Sequence, residues 1–311
     1  MARILTLTLN PALDLTVRLP VLRPGAVNRS EALTTQAAGK GLNVAQVLAD
    51  LGHQLSVSGF LGADNAAPFE ALFQRRGFAD GFIRVPGETR SNLKLAEANG
   101  SVTDINGPGM LVDARAQEAL LERVDQLAPG HDLVIVAGSL PRGVEPVWLT
   151  KLLWRWRRLD LKVAFDSSGA ALKAGLAAKP WLIKPNLDEL AELAGQGSLD
   201  PNQLAAQAEA LRADGIAEVV VSQGADGVVW FNADGPLAAR PPQVQVASTV
   251  GAGDSLLAAM VHGLLVGWPR TQVLRHATAV AALAVSQIEF GIGDPERLAQ
   301  LQAGVSLLDP A

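Results

Sequence analysis

Short apolar runs of strand length alternate with longer segments of helical period along most of the chain. Ile4–Leu9 alternates apolar and threonine positions and stops at Asn10-Pro11, the pattern of a central strand ending in a turn. Further runs follow at Ser56–Phe60, Leu133–Ala137, Lys162–Phe165, Trp181–Lys184 and Glu218–Ser222. Between most of them, Gly41–Leu51, Ala66–Arg76, Ala114–Gln126, Pro146–Arg157 and Pro201–Asp214 carry helical patterns. Leu256–Val266 and Ala277–Val285 are the most apolar regions and predict buried helices. Strand and helix in alternation imply βαβ units, hence an α/β fold with a doubly wound, mostly parallel sheet flanked by helices on both faces.

Two places break the alternation. Leu15–Pro20 with Asn28–Gln36, and Thr89–Ala98 with Val102–Asn106, have strand composition with no helix between the members of either pair. Asn99-Gly100 joins the second pair and is a strong hairpin signal. A small antiparallel sheet built from two insertions, about 12–37 and 88–107, is expected, with one face needing cover by substrate or a second subunit. Gly227–Phe231 and Val244–Ala247 are expected to form a further hairpin at the other edge of the main sheet.

Composition narrows the function classes. The chain has 311 residues, 49% of them hydrophobic, and is read as one α/β domain over 1–311 with an appendage. A net charge of -5 with no stripe of Lys or Arg argues against nucleic acid as a partner. There is no cysteine, so disulfides and thiolate metal sites are excluded. The four histidines, His53, His131, His262 and His276, show no ligand spacing and are expected to be structural or surface residues. A strand-like segment at the start, without a leader pattern, is expected of a cytoplasmic protein. The apolar segments fall short of the roughly 18 residues a membrane span needs, so no membrane partner is expected.

The candidate chemistry centres on Ser248-Thr249-Val250-Gly251-Ala252-Gly253-Asp254-Ser255, which runs straight into the apolar helix. The glycines allow a tight turn whose amides converge at a helix N-terminus, a ready anion site. Asp254 in the first turn could take a proton from an attacking hydroxyl; equally, it could be a plain N-cap. Gly39-Lys40-Gly41-Leu42-Asn43 opens another helix and could receive a second anion. Neither segment meets the P-loop pattern or the dinucleotide fingerprint, which disfavours a Rossmann dehydrogenase. Asp14 follows the first strand, Ser139 sits in the turn after Leu133–Ala137, and Arg90 lies in the expected hairpin with Asn92 and Lys94. Lys184 ends a strand; Asn186 and Glu189 have capping-box spacing, or could serve a Mg2+ ion together with Asp166. Ser222-Gln223-Gly224-Ala225-Asp226-Gly227 is a glycine turn that could floor a nucleotide.

With these residues collected, the chain resembles the PfkB (ribokinase-like) sugar kinases along essentially its whole length. Gly39–Asn43 and Thr249–Asp254 together carry the resemblance. Thr6–Asp14 and Ala37–Ala45, with Lys40, look like the phosphosugar branch, and Val102–Asn106 with Pro180–Asn186 is similar to its bacterial kinases of fructose 1-phosphate. Ser248 stands where ribokinase-type members usually carry an Asp. The resemblance implies transfer from ATP to the C6 hydroxyl of D-fructose 1-phosphate, Asp254 being the base and the Gly251, Ala252 and Gly253 amides the anion hole. It further implies that Asp14, Gly39, Asn43 and Ser139 hold the sugar, with Lys40 and Arg90 on its phosphate. Lys184, Asn186, Ser222, Gly224, Gly227, Ser248 and Val250 are then expected on the ATP side, with Glu189 and Asp166 positioning Mg2+. The antiparallel insertion matches the family's lid, which commonly doubles as a homodimer interface. A kinase of tagatose 6-phosphate or fructose 6-phosphate, or a silent sugar-phosphate sensor, remains as the alternative.

Overall fold

The computed structural model describes residues 1–308; the last three residues of the expected 1–311 domain lie outside the described residues. Its main sheet has eleven strands. From one edge the order is Ser306–Leu308, Gly235–Arg240, Val228–Asn232, Glu218–Ser222, Leu182–Ile183, Lys162–Asp166, Leu133–Ala137, Arg3–Thr8, Gln54–Gly62 and Ala79–Asp80. Ile83–Val85 also pairs with Gln54–Gly62. Every pairing from Ala79–Asp80 to Glu218–Ser222 is parallel, and the three strands beyond are antiparallel.

Alternation along the strands sends successive side chains to opposite faces, each buried under its own helices. Leu133, Ile135 and Ala137 pack with the helices Lys40–Asp50, Ala252–Leu265 and Arg270–Val285. Val134 and Val136 pack on the other face with Ala114–Leu127 and Pro146–Arg157. The parallel order puts the carboxyl ends of five central strands on one rim, where open α/β sheets bind ligands.

A separate four-stranded sheet is formed by Ala32–Ala38, Ala12–Leu19, Ser91–Glu97 and Val102–Asn106, in that order. Each expected hairpin is antiparallel. The two hairpins join through a parallel pairing of Ala12–Leu19 with Ser91–Glu97, a junction with no local signal in the sequence. Leu33, Val102 and Ile105 on the outer strands are more than half exposed.

One expected hairpin is corrected. Val228–Asn232 pairs with Gly235–Arg240 rather than with Val244–Ala247. Asp234-Gly235 supplies the tight turn, and Gly235 takes a φ of 88° that favours glycine. Residues 241–247 carry no regular structure. The short helices Gly169–Leu176 and Pro295–Gly304 fall in stretches where no element was expected. None of the described helices is long and apolar enough to cross a membrane.

Candidate active site

Two helix N-termini meet above the sheet rim. The helix Lys40–Asp50 is capped by Gly39 and Ala252–Leu265 by Gly251, in both cases without a side-chain hydrogen bond to the first-turn amides. Gly251 has a φ of 79°, so glycine suits the turn, and a Cβ there would meet the Phe290 ring at 2.7 Å. The first-turn N–H groups of a helix have no intrahelical partner, so an uncapped end offers them to an anion. Ser248 shapes the approach to the second helix, its Oγ accepting from the Val250 amide at 3.2 Å.

The two ends are bound together. Asn43 Nδ2 donates to Asp254 Oδ2 at 2.8 Å, and both side chains are buried. Burial pushes the Asp254 carboxyl up to about 6, and the nearby Asp166 charge adds to it; Lys40, the Asn43 bond and Lys184 offset part of the rise. Asp166, 1% exposed at the end of its strand, stands between two lysines: Lys40 Nζ at 3.2 Å and Lys184 Nζ at 3.4 Å. Burial pulls the Lys40 ammonium down, but Asp166, Asp254 and Glu189 more than offset this and leave its pKa raised. A Cβ on Gly253 would stand 3.1 Å from Lys184 Nζ, so that ammonium lies against the glycine turn.

The small sheet brings its own polar set. Asp14 Oδ2 pairs with Lys94 Nζ at 2.7 Å and Oδ1 accepts from Asn92 Nδ2 at 3.0 Å. Arg90 donates to the carbonyls of Asn10, Pro11 and Gly107 at 3.1, 3.3 and 3.2 Å, which ties the first strand's exit to the hairpin's end and leaves two N–H groups over. Burial lowers its pKa, with Asp14 acting the other way.

A cleft of about 670 Å³ is lined by Asp14, Gly39, Lys40, Asn43, Arg90, Asp166, Lys184, Asn186, Glu189, Ser222, Gly224, Val250, Gly251, Gly253 and Asp254. An adjoining, mainly apolar cavity of about 510 Å³ shares Ser222, Gly224, Thr249 and Gly253 with it and adds Gly227 and Ala252. Seventeen of the nineteen candidate positions therefore surround two adjoining spaces, while Ser139 and Ser248 line neither. Ser139 instead accepts from Asn10 Nδ2 at 3.1 Å and braces the strand exit. Asn186 and Glu189 form the capping box, at 2.7 and 2.9 Å, while still facing the cleft. The walls of the apolar cavity, from Pro241 to Val246 and Thr278 to Val285, went unrecognised; one signal was Thr278, polar within an apolar helix.

The four histidines are buried structural residues, and three of them gather away from the cleft. His53 Nε2 lies 2.9 Å from His262 Nδ1, and Trp268 meets the rings of His262 and His276 edge-on. No metal-binding group of three His, Cys, Asp or Glu exists among the described residues.

The model of the pfkB family carbohydrate kinases matches residues 7–297. The chain belongs to that family. A 1-phosphofructokinase of Escherichia coli strain K12 is 47% identical over 305 residues, covering 98% of both chains. One from Vibrio cholerae is 45% identical over 305 residues, covering 98% of this chain and 96% of its own. Among solved structures, phosphofructokinase-2 from Escherichia coli in complex with substrates and products superposes with a TM-score of 0.87 at 28% identity, covering 97% of this chain and 98% of that one. As a pfkB family kinase the chain has the ribokinase-like α/β architecture, with the small sheet set beside the main one.

Proposed function

We propose that the chain transfers the γ-phosphoryl group of ATP to the C6 hydroxyl of D-fructose 1-phosphate, giving ADP and fructose 1,6-bisphosphate. The observation that carries the reading is Asp254, a buried carboxylate in the first turn of an uncapped helix, facing a cleft that opens into an apolar cavity. Whole-length identity of 45–47% to 1-phosphofructokinases supports the substrate.

Asp254 takes the proton as the C6 oxygen attacks the γ-phosphorus and the bond to the ADP oxygen breaks. The Gly251, Ala252 and Gly253 amides hold the charge on the transferred group, and a carboxyl near 6 is mostly ionised at neutral pH yet basic enough to serve. Asp14, Gly39 and Asn43 hold the sugar, with Ser139 acting through Asn10. Lys40 and the two spare Arg90 N–H groups take the 1-phosphate. Lys184 with Asn186, Ser222, Gly224 and Val250 lines the triphosphate side, Gly227 floors the apolar cavity for the base, and Ser248 sets the loop.

The residues fit Mg2+. Buried Asp166 Oδ1 has only the Lys184 ammonium at 3.4 Å and accepts no hydrogen bond among the described residues, and Glu189 faces the same cleft, two carboxylates suited to a hard ion that arrives with the nucleotide and keeps several waters. Asp166 and Glu189 would hold it, and it would neutralise phosphate charge.

The small sheet acts as a lid that excludes water, and exposed Leu33, Val102 and Ile105 support its burial against a second copy in a homodimer. A coupled ADP-release assay comparing fructose 1-phosphate, fructose 6-phosphate, tagatose 6-phosphate and fructose tests the reading. Fructose 1-phosphate is expected to have the highest kcat/KM by about tenfold or more. Preference for a 6-phosphate overturns the substrate, and turnover of fructose alone overturns the phosphosugar assignment.

A further inference from the structure

Asn43 stands in the first turn of one site helix and Asp254 in the first turn of the other, 211 positions apart in sequence and 2.8 Å apart in space. Asn43 also lines the cleft, and its Oδ1 is buried with no donor among the described residues. An ionised carboxylate accepts and cannot donate, so it must face Nδ2, and the rigid amide then turns Oδ1 to the other side. An unpaired amide oxygen at a cleft wall is a place for a hydroxyl that a ligand brings.

We propose that Asn43 is the positioning residue of the base, beyond any part it takes in holding the sugar. Its Nδ2 occupies Asp254 Oδ2, which leaves Asp254 Oδ1 as the oxygen that receives the proton. Its own Oδ1 accepts from a hydroxyl of the bound sugar, so one planar group aligns acceptor and base together. Lys40, Asp166 and Lys184 are the charged groups that also act on Asp254, and none of them donates a hydrogen bond to it. Asn43 is therefore its sole side-chain donor among the described residues. The inference rests on the kinase reading for what the base does, and on geometry alone for what holds it.

The test uses the full chain with MgATP and whichever sugar phosphate the wild type turns over best, so that an error in substrate identity leaves it intact. Asn43→Ser is expected to lower kcat at least about tenfold, more than it raises KM for the sugar, because a freed carboxylate samples unproductive rotamers. The acid limb of kcat is expected to move up by about one pH unit, since a bond to the charged form is lost. Asn43→Asp keeps the shape but sets a carboxylate against a carboxylate, and is expected to move that limb further. ADP affinity measured by calorimetry should stay within about twofold in both, which reports a folded nucleotide side.

A rise in KM with kcat and the acid limb unchanged would mean that Asn43 only holds sugar, and overturns the proposal. Carboxyl NMR of Asp254 without substrates gives a readout independent of turnover. An upward-shifted titration in Asn43→Ser supports the proposal, and an unchanged one overturns it even if the kinase reading stands.

Discussion

Asp254→Asn should cut turnover sharply and stabilise the protein, and the gain should depend on pH. The carboxyl rises from 3.8 to about 6, chiefly because burial penalises the charge and then because Asp166 stands near. The native state therefore keeps a proton between those values that the unfolded chain releases. Native stability drawn from the neutral carboxyl is fully present below 3.8 and lost as pH rises through about 6. Two units correspond to about 3 kcal/mol, the order of cost of holding the ionised group at pH 8. The Asn side chain carries no such cost and can still accept from Asn43, although it forfeits about 0.5 kcal/mol of helix-terminus attraction. About 2 kcal/mol remains, or a Tm gain of roughly 4 °C at pH 8, shrinking towards zero near pH 4. Calorimetric scans of both proteins without ligand from pH 4 to 8 measure this, and other titrating groups cancel in the difference. A variant no more stable than wild type at pH 8, or a gap that does not narrow in acid, would refute the reasoning. Turnover should fall by about two orders of magnitude or more, and near-normal turnover removes Asp254 from the chemistry.

Three further perturbations address other parts of the site. Lys40→Met should raise KM for the phosphosugar at least about tenfold and KM for ATP by much less, and equal effects on both would place Lys40 elsewhere. Gly41→Ala should destabilise by about 2 kcal/mol in urea unfolding, because its Cβ would stand 2.5 Å from the Leu7 carbonyl oxygen and the Thr8 hydroxyl. His262 is held down to about 4 by burial and by His53 and His276, so only the unfolded chain gains a proton between 6.5 and that value. Stability should thus fall as pH drops from 7 to 5, by a smaller amount in His262→Leu than in wild type; parallel losses would show that the cluster is not what titrates.

Local chemistry carried most of the fold. Leu133–Ala137, Glu218–Ser222 and Pro146–Arg157 lie where their patterns place them, because a buried parallel strand is a short apolar run and Pro146 fits a first helical turn. Gly169–Leu176 was hidden by its length and its glycine start, and Val244–Ala247 misled because strand composition says nothing about a partner. Which residues share a rim follows from strand ends, so Lys184, Asp166 and Asp14 could be grouped in advance. Their pairings could not. Lys94 on Asp14, Lys40 on Asp166 and Asn43 on Asp254 join positions 80 or more apart, where no periodicity exists to read.

Glycine caps set two helices apart from those with a capping side chain. Asp113, Asn186, Asp200 and Asp294 each accept from a first-turn amide of their own helix, at 2.7 to 2.9 Å, as stability alone favours. Of the helices that open at the cleft, the one at Asn186 has a capping box, whereas the two joined through Asn43 and Asp254 are capped by Gly39 and Gly251, both with positive φ. Replacing a capping side chain by glycine costs only a few tenths of a kcal/mol, whereas a non-polar residue with a Cβ costs about 1 kcal/mol and here would also strain the turn. Glycine is thus the least costly way to leave amides unclaimed by the protein itself. A ligand anion then completes the caps, so phosphorylated substrates should stabilise these two helix ends most, through bonds that the helices capped by Asp113, Asn186, Asp200 and Asp294 already make for themselves.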